Sequence, residues 1–566
     1  MDRYWLKNYP GHVPAEVDVA QYASVTQLLE ASFAKYPRHK AFAYMDRDFT
    51  FADVDRYSAA LGAFLQGLGL ERSARVAIMM PNVIQYPICV AGILRGGYTV
   101  VNVNPLYTPR ELLHQLTDSG AEAIIVLDMF CATLEQVVAQ TAIRHVLVAT
   151  MGEMLGVPKG IAVDFVARRV RKLVPPFSLP GHHRFKHALK GGARRGLRRV
   201  EQARTDLALL QYTGGTTGLS KGAMITHGNM VANLAQASAW VGDAAGVTPE
   251  DPDADQPVGL CALPLYHALA LVLVCLFGMH TGRLSVLVAN PRDLPGLMRV
   301  LRKYRFHVVN GIDTLLNAIA EHPDFRSIDF SRMRIVGTGG MAGKRAVSDK
   351  WRTVTGLAVS QGYGMTEVTA AATMDPLPAR EFTDSVGMPI PGTEIAILDE
   401  SDRPVPPGEP GEVAIRGPQV MAGYWRRPEE TAKVMTPDGF LKSGDIGIMD
   451  ERGFLRIVDR KKDMIIVSGF NVYPTEIEQV IATHPGVLEC AAIGVPDDRS
   501  GEAVRLFVVR KDPALTEQEL IGYCRDNLTG YKIPRQVAFR ESLPKSPVGK
   551  ILRRELREAA SAMPHA

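Results

Sequence analysis

A glycine-rich loop at residues 212–222 contains the residue types that most directly suggest chemistry. Its sequence, YTGGTTGLSKG, holds four glycines, four Ser or Thr hydroxyls and one lysine within eleven residues. An apolar run at 207–210 precedes it, and a strand that runs into glycines leaves backbone N–H groups free to face an anion. The loop therefore predicts a phosphate cradle. It is not a Walker A loop, because Lys221 is followed by Gly222 and not by a Ser or Thr that could bind magnesium.

The elements that must hold this loop follow an alternating pattern of helices and strands. Ser24 and Gln27 have the spacing of a capping box at the start of a helix. Short apolar runs are typical of buried strands, and they lie at 76–80, 100–103, 123–127 and 145–148. Buried strands that alternate with helices predict an α/β domain with largely parallel sheets.

Composition limits the class of protein. A chain of 566 residues is too long for a single core, so we expect two or more domains. The net charge of +4 gives no general argument for nucleic-acid binding, and we expect no nucleic-acid partner. The six cysteines form no CxxC pair and no metal-ligand spacing, so we expect them to be reduced and buried, as in a cytoplasmic protein.

Two stretches of the sequence are candidates for a signal peptide or a membrane-spanning helix. The N-terminus carries charges and a proline, and it lacks the apolar core of a signal peptide. The most apolar stretch, residues 268–279, has about half of the roughly 20 residues that a membrane span needs, so it predicts a buried helix. We therefore expect a cytoplasmic protein that is at most peripheral to the inner face of the cell membrane.

Residues 159–199 form a basic segment, with twelve Lys or Arg residues and a single acid, Asp164. Three interpretations are open. The segment could be a solvated connector, or a basic surface that rests on anionic lipid. Nucleic-acid binding is the third, although the charges are not regularly interleaved with stacking aromatic residues, as a protein that binds single strands would need.

The C-terminal third changes character twice. From about residue 380 to 450, short alternating segments between Pro and Gly turns predict a β-rich region. After residue 460, the pattern predicts a helix near 476–484, strands near 488–495 and 505–510, and a helix near 517–528. This last unit, of about a hundred residues, is large enough to fold as a small α+β domain.

Five motifs in order carry a family resemblance. The loop at 212–222 resembles the signature of the adenylate-forming superfamily, which comprises acyl-CoA ligases, luciferases and peptide-synthetase adenylation domains. The other motifs are QGYGMTE at 361–367, SGD at 443–445, DRKK at 459–462 followed by SGFNVYP from 468, and PVGK at 547–550. Stretches at 4–10, 101–111, 262–267 and 528–532 resemble bacterial long-chain fatty-acid–CoA ligases.

The resemblance implies both a fold and a reaction. The expected fold is a large α/β N-terminal domain at 1–460 with mixed and parallel sheets, including a β-rich subdomain at about 380–458, and a small mobile α+β C-terminal domain at 461–566. The expected reaction joins ATP and a fatty acid to give acyl-AMP and pyrophosphate, after which CoA gives acyl-CoA and AMP. ATP, Mg²⁺ and CoA are the implied cofactor and co-substrates, and a homodimer is a further expectation.

The resemblance also implies roles for the nucleotide-binding residues. Glu367 would bind Mg²⁺ and Thr366 would touch the α-phosphate. Asp445 would accept both ribose hydroxyls, and Tyr363 would either lie on the adenine or pack in the core. The implied ATP and AMP contacts are Thr213, Gly214, Gly215, Thr216, Thr217, Gly218, Lys221, Gly339, Gly340, Gln361, Gly362, Tyr363, Gly364, Thr366, Asp445 and Arg460.

The remaining roles concern catalysis and motion. Lys550 is the implied catalytic lysine of the first step; Lys545, Arg553 and Arg554 are nearby cations that charge alone does not exclude. Lys462 occupies the hinge position, or is a plain surface lysine. The CoA side of the rotated domain is implied at Ser468, Gly469 and Phe470. His267 is either a core histidine or a gate near the acyl and CoA entrance.

The sequence leaves three functions open. The first is a long-chain fatty-acid–CoA ligase. The second keeps acyl-AMP formation but uses another acid or a carrier-protein acceptor. The third, from another class, is a non-catalytic acyl-lipid binding or sensing protein, which would not need Lys550, Glu367 and Asp445 together. Asp313 stands where close relatives usually have a neutral amide, and this departure concerns chain-length preference more than catalysis.

Overall fold

The computed structural model of the chain describes residues 3–213, 220–242, 256–340, 343–468, 470–497, 500–546 and 551–561. The contacts divide the chain into two compact units. Unit N comprises Met1–Gly214, Ser220–Glu394 and Arg416–Lys433, and unit C contains Ile395–Ile415 and Val434–Ala566. The predicted domain boundary at residue 460 separates the C-terminal part that is expected to rotate from the rest of the chain. This boundary stays a prediction.

Unit N is an α/β structure, as the alternating pattern predicts. Its strands are β1 (Lys40–Tyr44), β2 (Arg47–Thr50), β3 (Arg75–Met79), β4 (Thr99–Asn102), β5 (Ala123–Leu127), β6 (His145–Ala149), β7 (His183–Arg184), β8 (Leu207–Thr213), β9 (Lys221–Thr226), β10 (Val258–Cys261), β11 (Leu284–Leu287), β12 (Val308–Gly311), β13 (Ile335–Gly339), β14 (Ser360–Tyr363), β15 (Thr373–Met374) and β16 (Met388–Pro389). Its helices are α1 (Val25–Lys35), α2 (Phe51–Gln66), α3 (Gln85–Arg95), α4 (Pro109–Ser119), α5 (Cys131–Glu135), α6 (Lys159–Phe165), α7 (Phe185–Arg195), α8 (His227–Val241), α9 (Ala268–Ala270), α10 (Phe277–His280), α11 (Leu294–Lys303), α12 (Asp313–Ala320), α13 (Arg345–Thr355) and α14 (Pro428–Val434).

Two sheets organise the described part of unit N. One has the strand order β7-β6-β5-β3-β4-β8-β9, and the other has the order β16-β15-β14-β13-β12-β10-β11-β1-β2. The inner pairs are parallel, and antiparallel pairs occur at the edges, between β8 and β9, between β1 and β2, and from β14 to β16. The four apolar runs of the sequence correspond to β3, β4, β5 and β6, which confirms the prediction of largely parallel strands. β5 is buried along its whole length, as expected of a strand covered on both faces.

The start of α1 follows from its sequence. The Ser24 side chain accepts a hydrogen bond from the Gln27 N–H at 3.2 Å, and the Gln27 side chain accepts one from the Ala23 N–H at 2.7 Å. These two bonds satisfy backbone donors that the first helical turn cannot use. The predicted helix start is therefore confirmed.

The apolar stretch from residue 268 is a buried helix, as predicted, but an irregular one. Between α9 and α10, residues Leu271–Leu276 form a π-helical turn. π turns replace the usual hydrogen-bond step by a wider one and occur often at functional sites. In the part of the chain that the structure describes, we found no helix long and apolar enough to cross a membrane.

Unit C contains two further sheets. Its strands are β17 (Glu394–Leu398), β18 (Pro410–Arg416), β19 (Leu441–Met449), β20 (Leu455–Arg460), β21 (Ile465–Val467), β22 (Phe470–Val472), β23 (Val487–Asp497), β24 (Gly501–Arg510) and β25 (Gln536–Arg540), and its helices are α15 (Pro474–Ala482), α16 (Glu517–Asn527) and α17 (Arg553–Ser561). The first sheet has the order β17-β18-β19-β20, and the second has the order β22-β21-β24-β23 with β25 beside β24. The β-rich region and the small α+β unit that the sequence predicts are both present.

All six cysteines are free and buried, which confirms their predicted state.

Candidate active site

The two ends of the glycine-rich loop belong to an antiparallel hairpin. β8 and β9 pair in a register that sets Thr213 opposite Lys221 and Tyr212 opposite Gly222. The predicted strand before the loop is therefore present, and the chain leaves the loop as a strand. The predicted phosphate contacts Gly214, Gly215, Thr216, Thr217 and Gly218 lie outside the described residues.

Lys221 carries its charge at the start of β9. Its Nζ lies 2.6 Å from Glu430 Oε2 and 5.0 Å from the ring centre of Tyr424. The hydrogen bond from Lys221 lowers the pKa of Glu430 to about 2, and a second bond from Lys433 adds to the effect. The Lys221 ammonium is thus held by an ionised carboxylate, and an arriving phosphate could take over that role.

Glu367 lies in a short 3-10 turn, Thr366–Val368, a few residues after β14. It is buried, with 7% of its surface exposed, and its Oε1 accepts a hydrogen bond from the Tyr424 hydroxyl at 2.7 Å. Burial raises the pKa of Tyr424, and the charge of Glu367 raises it further. Tyr424 therefore stays protonated and donates to Glu367 at neutral pH.

A backbone pairing brings Lys221 and Glu367 around the same tyrosine. The segment 421–425 runs alongside β9, where the Met224 N–H donates to Gly423 O at 2.9 Å and the Trp425 N–H donates to Gly222 O at 2.8 Å. At the start of this segment, the Met421 N–H donates to Glu367 O at 2.8 Å. Sequence patterns do not identify Tyr424 or Glu430, because their contacts arise only from this backbone pairing.

The glycines near Glu367 are required by space or by backbone angle. A Cβ on Gly364 would lie 1.9 Å from Ala370 O, so no other residue fits there without moving the chain. Gly340 has φ +80°, in the left-handed region that favours glycine. Thr369 also has a positive φ, +67°, and a β-branched residue in that region is strained. Strain of this kind is typical of functional sites.

Adjacent strands place the other predicted nucleotide residues of unit N. Gly339 pairs with Gly362 at the carboxyl ends of the parallel strands β13 and β14, where α/β sheets commonly bind ligands. Tyr363 is half-buried at the end of β14. The Gln361 side chain accepts a hydrogen bond from the Gly343 N–H at 2.9 Å, and its Nε2 donates to two backbone carbonyl groups, Thr383 O at 2.7 Å and Ser385 O at 2.8 Å. Gln361 therefore shapes this edge from within the protein.

Asp313 contributes to the same edge. Its Oδ1 accepts a hydrogen bond from the Lys344 N–H at 2.9 Å, and burial raises its pKa. This carboxylate thus ties the start of α12 to the chain that follows Gly340.

His267 precedes α9, at the start of the irregular apolar helix. Its ring centre lies 4.8 Å from that of Tyr266. Burial lowers the pKa of His267 to about 4, so the ring is neutral at pH 7. Within the described chain its Nε2 is buried with no hydrogen-bond partner, and a buried polar atom of this kind suits a ligand. This geometry favours the gate interpretation over the core interpretation, although the role stays a prediction.

Unit C holds the predicted ribose-binding pair. Asp445 on β19 is directly opposite Arg460 on β20, and Arg460 Nε lies 3.3 Å from Asp445 Oδ1. The Asp445 side chain is buried, with 10% exposed. Gly444, with φ +74°, turns the chain just before it. An ionised carboxylate beside a guanidinium can still accept bonds from two hydroxyls.

The predicted hinge follows β20 directly. Lys462 lies in the 3-10 turn Lys461–Asp463, between β20 and β21. Desolvation by the surrounding protein lowers the pKa of Lys462 to about 8, and the charge of Arg460 lowers it further. The turn is therefore a short link with closely spaced charges.

The predicted CoA side is partly described. Ser468 has φ +51°, and its N–H donates to Ser500 O at 2.8 Å. Phe470 is 55% exposed and stacks on Tyr531, with ring centres 4.7 Å apart. Gly469 and Lys550 lie outside the described residues.

The chain resembles known protein families, named proteins and solved structures. The sequence pattern of the AMP-binding enzyme family matches residues 29–425, and that of the AMP-binding enzyme C-terminal domain matches residues 476–550. Long-chain-fatty-acid–CoA ligases from Escherichia coli O6:H1 and Salmonella typhimurium are 49% and 50% identical over 561 residues, covering 99% of this chain and 99% of each relative. The crystal structure of ATP-bound MatB from Rhodopseudomonas palustris has a TM-score of 0.79 at 27% identity and covers 95% of this chain and 99% of that chain. The chain therefore belongs to the AMP-binding enzyme family.

Proposed function

We propose that this protein is a long-chain fatty-acid–CoA ligase that works through an acyl-adenylate. ATP and a fatty acid give acyl-AMP and pyrophosphate, and CoA then gives acyl-CoA and AMP. The observation that carries the proposal is the 49–50% identity, over nearly the whole chain, to proteins that bear this name. The arrangement of Lys221, Tyr424 and Glu367 supports it, because it suits a bound polyphosphate.

The first step joins two anions, so neutralising their charge is the main task of the protein. A carboxylate oxygen of the fatty acid attacks the α-phosphorus, and the bond to the leaving pyrophosphate breaks. Lys221 would leave Glu430 and hold the departing phosphates. Lys550 would lie between the carboxylate and the α-phosphate, and Thr366 would donate to the α-phosphate. In the second step the CoA thiol gives its proton to solvent and its sulfur attacks the acyl carbon. The bond from that carbon to the AMP oxygen breaks, and AMP leaves with the electron pair.

The nucleoside would be bound through its ribose and through its base. Asp445 would accept the two ribose hydroxyls, Arg460 would orient that carboxylate, and Tyr363 would lie on the adenine. The buried position of Asp445 supports this assignment, since desolvated hydrogen bonds to a carboxylate are strong. Ser468 and Phe470 would contact CoA after rotation at Lys462.

Magnesium would be bound through Glu367. A carboxylate is a ligand that Mg²⁺ prefers, and Mg²⁺ commonly uses one or two carboxylates together with substrate phosphates. Across the described ranges, no group of three or more His, Cys, Asp or Glu side chains could hold a metal ion. The metal would enter with the nucleotide, where it would neutralise phosphate charge.

The reaction is tested by separating its two steps. Pyrophosphate should be released from ATP only when a fatty acid is present, and acyl-CoA should appear only when CoA is added. Release without any acyl-CoA would favour a carrier-protein acceptor. No release with any fatty acid of a chain-length panel would favour a non-catalytic lipid-binding protein.

Lys550→Ala tests the assignment of the catalytic lysine. We expect adenylate formation to fall by about a hundredfold or more, because a charge positioned in the transition state is lost. Thioester formation from supplied acyl-AMP should continue at close to the wild-type rate. Equal loss of both steps would contradict the role of Lys550.

We further propose that residues 157–173 contact an anionic membrane surface. Of the ten large hydrophobic side chains that are exposed within the described ranges, six lie in this stretch, namely Val157, Ile161, Phe165, Val166, Val170 and Leu173. α6 continues as a π-helical turn, Val166–Val170, that carries Arg168 and Arg169. Apolar side chains next to cations are typical of helices that rest on anionic lipid.

The inner side of this segment is fixed. Asp164 accepts hydrogen bonds from the Thr150 hydroxyl and the Gly152 N–H, both at 2.7 Å. Arg168 pairs with buried Asp128 at 2.7 Å. The segment therefore keeps its apolar side chains outward, which a plain connector would not require.

Vesicle binding tests the membrane contact. Replacing Ile161 and Phe165 by Ser should weaken sedimentation with vesicles that contain anionic lipid, and Arg169→Gln should weaken it mainly at low salt. Leu488→Ser is the matched control, because Leu488 in unit C is 62% exposed. Binding that none of these changes alters would leave the segment as a connector. The homodimer stays a prediction of the resemblance, and the cytoplasmic location stays a prediction from the cysteines and the N-terminal sequence.

A further inference from the structure

Arg553 is at the centre of a cluster of charges in unit C that the proposed mechanism does not use. It is the first residue of α17, three residues after the predicted catalytic Lys550. Its Nη2 lies 2.9 and 2.7 Å from the two carboxylate oxygens of Glu478 on α15. Paired bonds between a guanidinium and a carboxylate fix direction as well as distance. The start of α17 is therefore held firmly against α15.

The same guanidinium faces the hinge. Arg553 Nη1 lies 3.4 Å from Asp463 and 3.8 Å from Asp459. Arg557, one turn further along α17, pairs with Asp463 at 2.5 Å. The two aspartates lie on either side of Lys462 in the sequence. Two arginines of α17 thus reach both sides of the hinge turn.

Burial makes these pairs depend on one another. The exposed fractions are 16% for the side chain of Arg553, 9% for that of Asp463 and 1% for that of Asp459. Burial alone would lower the pKa of Arg553, but the charge of Glu478 raises it overall. Burial alone would raise the pKa of Asp463, but Arg557 and Arg553 lower it. Charges removed from water in this way need their partners, because an unpaired buried charge is strongly destabilising.

Asp459 extends the connection to the backbone. Its Oδ1 accepts a hydrogen bond from the Arg460 N–H and its Oδ2 accepts one from the Thr475 N–H, both at 2.7 Å. Thr475 is in the first turn of α15. The end of β20, the start of α15 and the start of α17 therefore meet at one carboxylate.

The other cations near Lys550 have different partners. Lys545 pairs with Glu489 on β23. Arg554 pairs with Glu558 inside α17, and their side chains are 53% and 66% exposed. Exposed pairs of this kind contribute little. Arg553 is therefore distinguished from its neighbours by burial and by its contact with the hinge.

We infer that Arg553 is a positioning residue that couples the segment carrying Lys550 to the hinge at Lys462. The inference rests on the proposed function. α17 begins three residues after Lys550 in the sequence, so the cluster fixes the described chain that follows this lysine relative to the hinge turn. A displacement of about 1 Å in a catalytic group can cost about a hundredfold in rate.

The half-reactions test this coupling. Arg553→Ala should lower fatty-acid-dependent pyrophosphate–ATP exchange about tenfold to a hundredfold, through kcat and not through KM for ATP. Formation of acyl-CoA from supplied acyl-AMP should stay close to the wild-type rate. Arg554→Ala is the matched control on the same helix and should change neither step. Equal loss of both steps in Arg553→Ala, or no loss in either, would overturn the inference.

A double-mutant comparison covers the case in which Arg553→Ala does not fold. Arg553→Lys keeps the charge of the cluster but loses the fork that pairs with Glu478. If Arg553 acts through Lys550, the cost of Arg553→Lys should vanish in a Lys550→Ala background. Losses that simply add would overturn the inference. A wild-type protein without exchange activity would instead contradict the proposed function.

Discussion

At the scale of single residues, Tyr424 joins the two charged groups that face the phosphates. Its hydroxyl donates to Glu367 and its ring faces the Lys221 ammonium. Tyr424→Phe removes one hydrogen bond to a buried carboxylate, and such bonds contribute about 1.5–3 kcal/mol. We therefore expect adenylate formation to slow about tenfold to a hundredfold. The Mg²⁺ concentration for half-maximal exchange should rise, because Glu367 is no longer held in place.

Tyr212→Phe is the control for this prediction. Tyr212 is also buried, and its hydroxyl donates to the carboxylate of Asp118 at 2.7 Å. Its partner has no predicted role at the metal. Tyr212→Phe should therefore lower thermal stability without raising the Mg²⁺ requirement. An unchanged Mg²⁺ requirement in Tyr424→Phe would remove Tyr424 from the positioning of Glu367.

The candidate site was only partly predictable at this scale. Motifs with local spacing identified Lys221 and Glu367, because both lie in short runs of distinctive residues. Tyr424 and Glu430 were not identified, since Glu430 is 209 residues from its partner Lys221 and only the pairing of 421–425 with β9 brings them together. Contacts that depend on tertiary pairing leave no local pattern in one sequence.

At the scale of elements, the attachment of α6 predicts a pH dependence of stability. Burial raises the pKa of Asp128 to about 6, although Arg168 opposes the effect. The folded protein therefore binds this proton more tightly than the unfolded chain, and the free energy of unfolding should fall as pH rises from about 4 to about 6. A shift of about 2 pKa units, at about 1.4 kcal/mol per unit, amounts to about 3 kcal/mol.

Asp128→Asn removes this titration. Urea unfolding between pH 4 and pH 7 should show the variant gaining stability relative to wild type as pH rises, by up to about 3 kcal/mol. The loss of the partner of Arg168 adds an offset that does not depend on pH. Arg168→Ala should extend the fall to higher pH, because the attraction that lowers the pKa of Asp128 in the folded protein is lost. A difference between Asp128→Asn and wild type that stays constant with pH would contradict the assignment.

The elements themselves were largely predictable. Continuous apolar runs predicted β3 to β6, because strands that are buried on both faces need apolar residues at every position. The π turn at Leu271–Leu276 was not predicted, since an unbroken apolar stretch has the same pattern in an α or a π turn. The pair of Asp128 and Arg168, forty residues apart, also has no local signature.

At the scale of the whole molecule, the order of motifs along the chain carried more information than composition. Five motifs spread over about 340 residues identified the family, and the family pattern covers residues 29–425. The residue at which the C-terminal domain rotates is harder to predict from the sequence, because rotation about a single turn leaves no periodic pattern. Unit C contains residues 395–415 and 434–566, whereas the predicted rotation occurs at Lys462.

Rotation at Lys462 gives the last prediction. Lys462→Pro fixes φ near −65° and removes an N–H in the short link between β20 and β21. Adenylate formation should continue, since the first orientation is kept, while thioester formation from supplied acyl-AMP should fall about a hundredfold because the CoA side is not presented. Lys462→Ala removes the charge but leaves the backbone free, so it should retain both steps. Equal thioester rates in the proline and alanine variants would mean that this turn is not the hinge.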